Sequence, residues 1–272
     1  VTERILITGA AGTVGTLMRP RLAAPGRTLR LLDIAELPPA GPDERVELLR
    51  GSVTDMATME AACAGVDAVI HLGGHSMEEP WEKTLDVNIN GSHTVLEAAR
   101  RQGVSRVVLA SSNHAVGFTR RADGEAGDYL FPRPDTYYGV SKVALEALGS
   151  LFADRFGMDV ICVRIGACFE RPRDARMLST WLSPDDGARL FEVCLRTPAP
   201  GFRVIWGVSN NTRRWFSLDE ARTLGFEPVD DAEAYAAEVL AGTGEPDPDD
   251  PALSHLGGTW CTWELGASMK GA

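Results

Sequence analysis

Tyr138-Gly-Val-Ser-Lys142 carries a phenol and an amine four residues apart, and on a helix that spacing puts both on one face. An ammonium beside a phenol lowers its pKa from about 10 toward working pH, which is what a general base requires. Tyr137 is the rival base, but it precedes Lys142 by five and would point elsewhere. A tyrosine packed on a lysine stem satisfies the same spacing without chemistry. Upstream, Ala110-Ser-Ser-Asn-His114 follows an apolar run. A hydroxyl of Ser111 or Ser112 would therefore stand at the carboxyl end of a strand, where it can bind a reacting oxygen. Together these are parts for taking a proton from an alcohol.

A second group sits at the start of the chain. Gly9-Ala-Ala-Gly12-Thr13-Val14-Gly15 follows a short apolar run and opens a helical pattern. Glycines there allow a tight turn and let backbone N–H groups and a helix N-terminus approach a pyrophosphate. Asp33, eighteen residues past Gly15, falls where a carboxylate would accept hydrogen bonds from an adenosine ribose and repel a 2′-phosphate, so NAD is favoured over NADP. Gly51-Ser52-Val53-Thr-Asp55 would set Ser52 and Val53 near adenine, with Asp55 capping the next helix. His71-Leu72-Gly73-Gly74 admits two readings: a cofactor ribose lying against bare backbone, or a helix packed closely on glycine.

These groups need elements to carry them. Strand patterns at Arg4–Thr8, Thr28–Asp33, Val46–Leu49, Ala68–Leu72, Arg106–Ala110 and Asp159–Ile165 alternate with helical ones at Thr13–Leu22, Met56–Ala64, Trp81–Gln102 and Tyr138–Phe156. The alternation predicts a doubly wound α/β parallel sheet with ligands at the carboxyl ends of its strands. After Ile165 the rhythm breaks. Residues 1–165 therefore read as the dinucleotide-binding core, and 166–272 as a small substrate lobe within the same domain, with helices at Pro184–Arg196 and Leu218–Leu224 and a strand at Phe202–Trp206. Gly244–Pro251 is acidic and Pro-rich, as a solvated loop or tail would be.

Composition narrows the function. Acids outnumber bases 38 to 27, for a net charge of −11, which disfavours a nucleic-acid partner and leaves a small molecule. Cys63, Cys162, Cys168, Cys194 and Cys261 are scattered without a CxxC pair or histidine companions, so neither a disulfide framework nor a metal site is expected. Reduced, mostly buried thiols in a cytoplasmic protein are expected instead. No apolar run reaches the roughly 18–20 residues that span a bilayer, and no leader precedes the first strand, so no membrane partner is expected.

In this order, Gly9xxGly12xxGly15, Asp33, Asn88-Ile-Asn-Gly91, Ser111-Ser112, Tyr138 and Lys142 resemble the extended branch of the short-chain dehydrogenase/reductase superfamily. The resemblance implies a Rossmann-type fold, NAD as cofactor, Ser112 orienting the substrate hydroxyl, Tyr138 as proton acceptor, and Lys142 binding the nicotinamide ribose while lowering the Tyr138 pKa. Ser112 is chosen over Ser111 because it stands five before Gly117, as in the family; Ser111 then packs inside. Asn88 would support the proton relay or the adjacent helix. The cofactor side would comprise Gly9, Gly12, Thr13, Val14, Gly15, Asp33, Ser52, Val53, Leu72, Gly73 and Asn88, with Tyr138 and Lys142.

Ser111–Gly117, Arg164-Ile-Gly166, Asp174–Ser183 and Trp206–Asn211 further resemble the bacterial uronate dehydrogenases within that branch. That resemblance implies oxidation of a pyranose hexuronate, D-glucuronate or D-galacturonate, at C1 to an aldaro-lactone. Arg176 matches the family's carboxylate-binding arginine, with Arg173 its nearest rival and a surface ion pair the plain alternative. Ser76, Asn113 and His114 match positions that hold sugar hydroxyls, although turn capping and a backbone-satisfied ring explain the same residues. Ala167 departs from the pattern, since relatives can offer a serine there. Two other classes compete: a nucleotide-sugar epimerase or dehydratase using the same Ser112, Tyr138 and Lys142, and a redox-sensing binding module without turnover. A homo-oligomer is the default expectation.

Overall fold

The computed structural model describes residues 3–242, 244, 245, 247 and 250–269. Strands β1 (Glu3–Thr8), β2 (Arg27–Asp33), β3 (Val46–Arg50), β4 (Ala68–His71), β5 (Arg106–Ser112) and β6 (Asp159–Ile165) fall where the apolar runs predict them. Two-residue strands β7 (Ala167–Cys168) and β8 (Trp181–Leu182) form a separate ladder, and β9 spans Phe202–Gly207. The main sheet runs β3-β2-β1-β4-β5-β6-β9, parallel throughout. Side chains alternate between its faces. Ile5 and Ile7 of β1 join Leu190 and Phe191 in one core, while Leu6 joins Met59, Leu96 and Leu145 in the other. Burial on both faces is why these strands read as nearly continuous apolar runs.

The main sheet takes its seventh strand from beyond residue 165, where β9 follows the Pro184–Arg196 helix and pairs with β6. Chain order changes direction between β1 and β4, opening a crevice at the carboxyl ends of those strands.

The Trp81–Gln102 helix also departs from its simple pattern. It is α-helical at Trp81–Thr84, π-wound at Leu85–Asn90 and α-helical again at Gly91–Arg101. Wider winding shifts the inward face by a residue, and Asn88 is buried there. The Tyr137–Phe156 helix starts at Thr136, whose hydroxyl accepts from Gly139 N–H at 3.0 Å. It ends at Gly157 with φ +67°, a left-handed stop suited to glycine.

The C-terminal segment returns across the sheet's carboxyl end. Leu256 N–H donates to Thr119 O at 3.0 Å, Gly257 N–H to Gly117 O at 2.9 Å and Met269 N–H to Glu78 O at 3.2 Å. In the acidic stretch before it, Pro246, Pro248 and Asp249 lie outside the described residues, whereas Glu245 pairs with Arg213 at 2.7 Å. All five cysteines are free, and Cys63, Cys162, Cys168 and Cys194 are buried. Among the described residues no helix is long and apolar enough to cross a membrane.

Candidate active site

The crevice is lined by the glycines the sequence singled out. Gly9 has φ +69°, and a Cβ there would lie 2.6 Å from Gly73 N, so the β1 and β4 turns touch through bare backbone. Gly12 is exposed and begins the Thr13–Arg21 helix without a side-chain cap. The first-turn N–H groups, those of Thr13, Val14 and Gly15 among them, are orphan donors of the kind that bind phosphate. Asp33 accepts from Ala11 N–H at 2.9 Å and Ala35 N–H at 3.0 Å. Its carboxylate is thereby fixed at the end of β2, with lone pairs left for ribose hydroxyls.

Ser52 closes a small turn with Thr54, their hydroxyls 2.8 Å apart. Val53 is buried against Gly73 and Gly91, so packing accounts for Gly73 and still leaves Leu72 and Gly73 lining the crevice. Asp55 caps its helix through Thr58 N–H at 2.7 Å. A dinucleotide fits this arrangement: bare backbone beneath a diphosphate and a carboxylate beside a ribose.

Asn88 acts as a clamp. Its amide accepts from His75 N–H at 2.8 Å and donates to His75 O and to Ser141 Oγ, each at 3.0 Å. It ties the loop carrying Ser76 to the helix carrying Tyr138. Ser76 itself is exposed on that loop.

Ser112, Tyr138 and Lys142 meet at the end of β5, each less than 10% exposed. The Tyr138 hydroxyl is pushed up to about 12, by burial first, against a hydrogen bond with Ser112 that lowers it and with the Asp135 carboxylate adding to the rise. Lys142 Nζ lies 5.3 Å from the Tyr138 ring centroid and donates to Ala110 O at 2.7 Å. Burial brings its own pKa down to about 8, opposed by the charge of Glu146. Ser111 instead donates to Glu146 at 2.6 Å, and Glu146 forms a two-pronged pair with Arg164 at 2.8 Å on both prongs. It therefore packs inside, as expected. Tyr137 instead stands edge-on to Trp81, with ring centroids 5.4 Å apart.

On the substrate side, His114 Nδ1 lies 2.6 Å from an Asp135 oxygen. Burial holds the ring below its ordinary pKa, although Asp135 opposes the shift. A neutral ring sharing its one N–H with that carboxylate leaves Nε2 as an acceptor. Gly117 and Gly257 leave room for Asp135, since a Cβ on either would overlap its carboxylate, at 2.1 and 1.9 Å.

Asn113 Nδ2 and an Arg176 terminal nitrogen both donate to Leu256 O, at 2.8 and 2.5 Å. Arg176 Nε is buried without a partner, and burial lowers the guanidinium pKa. Arg173 turns away and stacks on Phe169. Ala167 is buried opposite Trp181 in the β7–β8 ladder and brings no hydroxyl.

Three participants escaped the sequence reading. Trp260 stacks on His114 with centroids 3.9 Å apart and stands edge-on to Tyr138 at 5.7 Å. Asp135 orients His114. Glu78, wholly buried, accepts from Tyr138 N–H at 2.8 Å, Tyr137 N–H at 3.2 Å and Gly266 N–H at 2.9 Å. It caps the Tyr137–Phe156 helix where the helix dipole favours an anion and latches the C-terminal segment to it. Glu78→Gln replaces an acceptor by a donor facing those N–H groups. It should cost about 2–3 kcal/mol in urea unfolding and speed amide exchange at 266–269; unchanged stability and exchange would remove the latch.

A glycine-lined switch-point crevice beside a buried Ser–Tyr–Lys group defines the extended short-chain dehydrogenase/reductase class. The model of the NAD dependent epimerase/dehydratase family matches residues 5–184, and the chain belongs to that family. Within it, the chain is 43% identical over 260 residues to the uronate dehydrogenase of Pseudomonas syringae pv. tomato, covering 95% of this chain and 93% of that one. A mutant uronate dehydrogenase from Agrobacterium tumefaciens, complexed with NAD, superposes with a TM-score of 0.91 at 40% identity, covering 97% and 98% of the two chains. A glucuronic acid dehydrogenase from Chromohalobacter salexigens gives 0.92 at 39% identity, covering 98% and 99%. The resemblance read from the motifs therefore holds over nearly the whole chain.

Proposed function

We propose that this protein is an NAD-dependent dehydrogenase that oxidises a pyranose hexuronate, D-glucuronate or D-galacturonate, at C1 to the aldaro-lactone. The observation that carries the substrate class is Arg176, a guanidinium brought beside Asn113 on the His114 side of the site with a buried Nε lacking a partner. A bidentate carboxylate supplies the acceptors such a group needs. Uronate dehydrogenases among the relatives support the same reading.

The Gly9–Gly15 turn, Asp33, Ser52, Val53, Leu72 and Gly73 would hold NAD along the ends of β1–β4, where it would supply the acceptor for the hydride that C1 gives up. Ser112 orients the C1 hydroxyl. Tyr138 Oη takes its proton, and the nearby Lys142 ammonium favours the phenolate that does so. His114 Nε2, Asn113 and Ser76 receive ring hydroxyls, and Trp260 together with the segment that bears it screens the site from water. The protein acts in the cytoplasm, in keeping with five unpaired thiols. It associates with itself, and Leu151 and Phe156, half-exposed on the catalytic helix, offer apolar surface for that.

Product analysis tests the chemistry. One lactone per NADH, seen by NMR during turnover of D-glucuronate or D-galacturonate, is the expected outcome. A UDP-sugar epimerised without net NADH would move the protein to the epimerases. The pH profile follows from the buried amine. Activity should fall as pH rises through about 8, where Lys142 loses its charge and with it the field that favours the phenolate. In Lys142→Arg the residual activity should lose that alkaline limb, and an unchanged limb would exclude Lys142 as its source.

A further inference from the structure

A cleft of about 600 Å³ runs along the first turns of the Thr13–Arg21 helix. Ala11 and Thr13 form one wall, and the chain after β7 brings Phe169, Arg171 and Arg173 to the other. We infer that Arg173 binds the diphosphate of the dinucleotide, closing from the lobe side on the anion that the Gly12 turn holds from the sheet side.

Three observations carry this. The glycine turn and first helical turn, Gly9 to Thr16, contain no basic residue, so they offer a diphosphate only neutral N–H groups, and Asp33 adds a negative charge nearby. Other cations of the region are engaged. Arg19 is held by Glu44 at 2.6 Å, and Arg21 by Asp185 at 2.7 Å and Glu170 at 3.5 Å. Arg171 leans toward the Ala236–Leu240 helix, 3.7 Å from Glu238 and 5.6 Å above the Tyr235 ring. Arg173 differs. Its guanidinium lies 3.8 Å over the Phe169 ring, and among the described residues no carboxylate pairs with it. Stacking fixes the plane of a guanidinium while leaving its edge donors free, the arrangement that suits two phosphate oxygens. Glu170, the acid in the cleft, is drawn to Arg21.

The inference rests on NAD as cofactor, and calorimetric titration with NAD, ADP-ribose and adenosine tests it. Wild-type protein should bind NAD and ADP-ribose. Arg173→Ala should weaken both about ten-fold and leave adenosine, which has no phosphate, unchanged. Arg173→Lys should fall between, because charge survives and the planar fork does not. Arg171→Ala removes the same net charge and should change affinity by less than about two-fold. Unchanged ADP-ribose binding in Arg173→Ala, an equal loss with adenosine, or an equal loss in Arg171→Ala would each overturn the assignment. Wild-type protein that binds no NAD would refute the cofactor reading itself, a result separable from any effect of the variant.

Discussion

Tyr138→Phe should lower turnover with uronate by about 10³-fold or more while leaving NAD affinity within about two-fold. The variant loses one oxygen. Its ring keeps the edge-on packing against His114 and Trp260, and the N–H groups capped by Glu78 are untouched. Tyr137 stands edge-on to Trp81 instead, and the His114 Nδ1 is bound to Asp135. Stopped-flow NADH formation measures the turnover and titration calorimetry the affinity. Retained turnover would remove Tyr138 from the proton transfer, and lost NAD affinity would make it part of the scaffold.

Arg176→Ala should reduce kcat/KM for D-glucuronate and D-galacturonate about 100-fold, mostly through KM, because the substrate carboxylate would then lie in a partly dry site without its cation. The slow background oxidation of glucose or galactose should change by less than about three-fold. That contrast matters because Arg176 also donates to Leu256 O. If its role were only to hold the C-terminal segment, neutral and acidic sugars would lose activity alike, and amide exchange at 255–261 would rise without any charge selectivity. Equal losses would therefore sink the carboxylate assignment.

What could be seen in the sequence was what local spacing encodes. Six strands, the glycine turn, Asp33 and the Tyr138–Lys142 face each depend on neighbours within a few residues, so the structure finds them nearly where the patterns put them. The position of β9 did not have that character. An apolar run states that a strand exists but not which strand it will pair with, and Phe202 lies 37 positions past Ile165. The π turn at Leu85–Asn90 leaves no composition signal, yet it sets where Asn88 points.

The missed site residues left no local signal. Glu78 meets Gly266 across 188 positions, its acceptor a side chain in a loop. Asp135 stood beside the helix start, where an acid passes for ordinary capping. Trp260 lies in a segment without periodicity, so nothing in its surroundings pointed to the tyrosine it covers.

The most direct test of a uronate-oxidising site is absorbance at the NADH band after mixing purified protein with NAD and D-glucuronate or D-galacturonate, with glucose, galactose and UDP-glucose as controls. Rapid reduction of NAD by the uronates, and little by the controls, is the expected result. No reduction by either uronate, with NAD that copurifies and UDP-glucose converted instead, would contradict it.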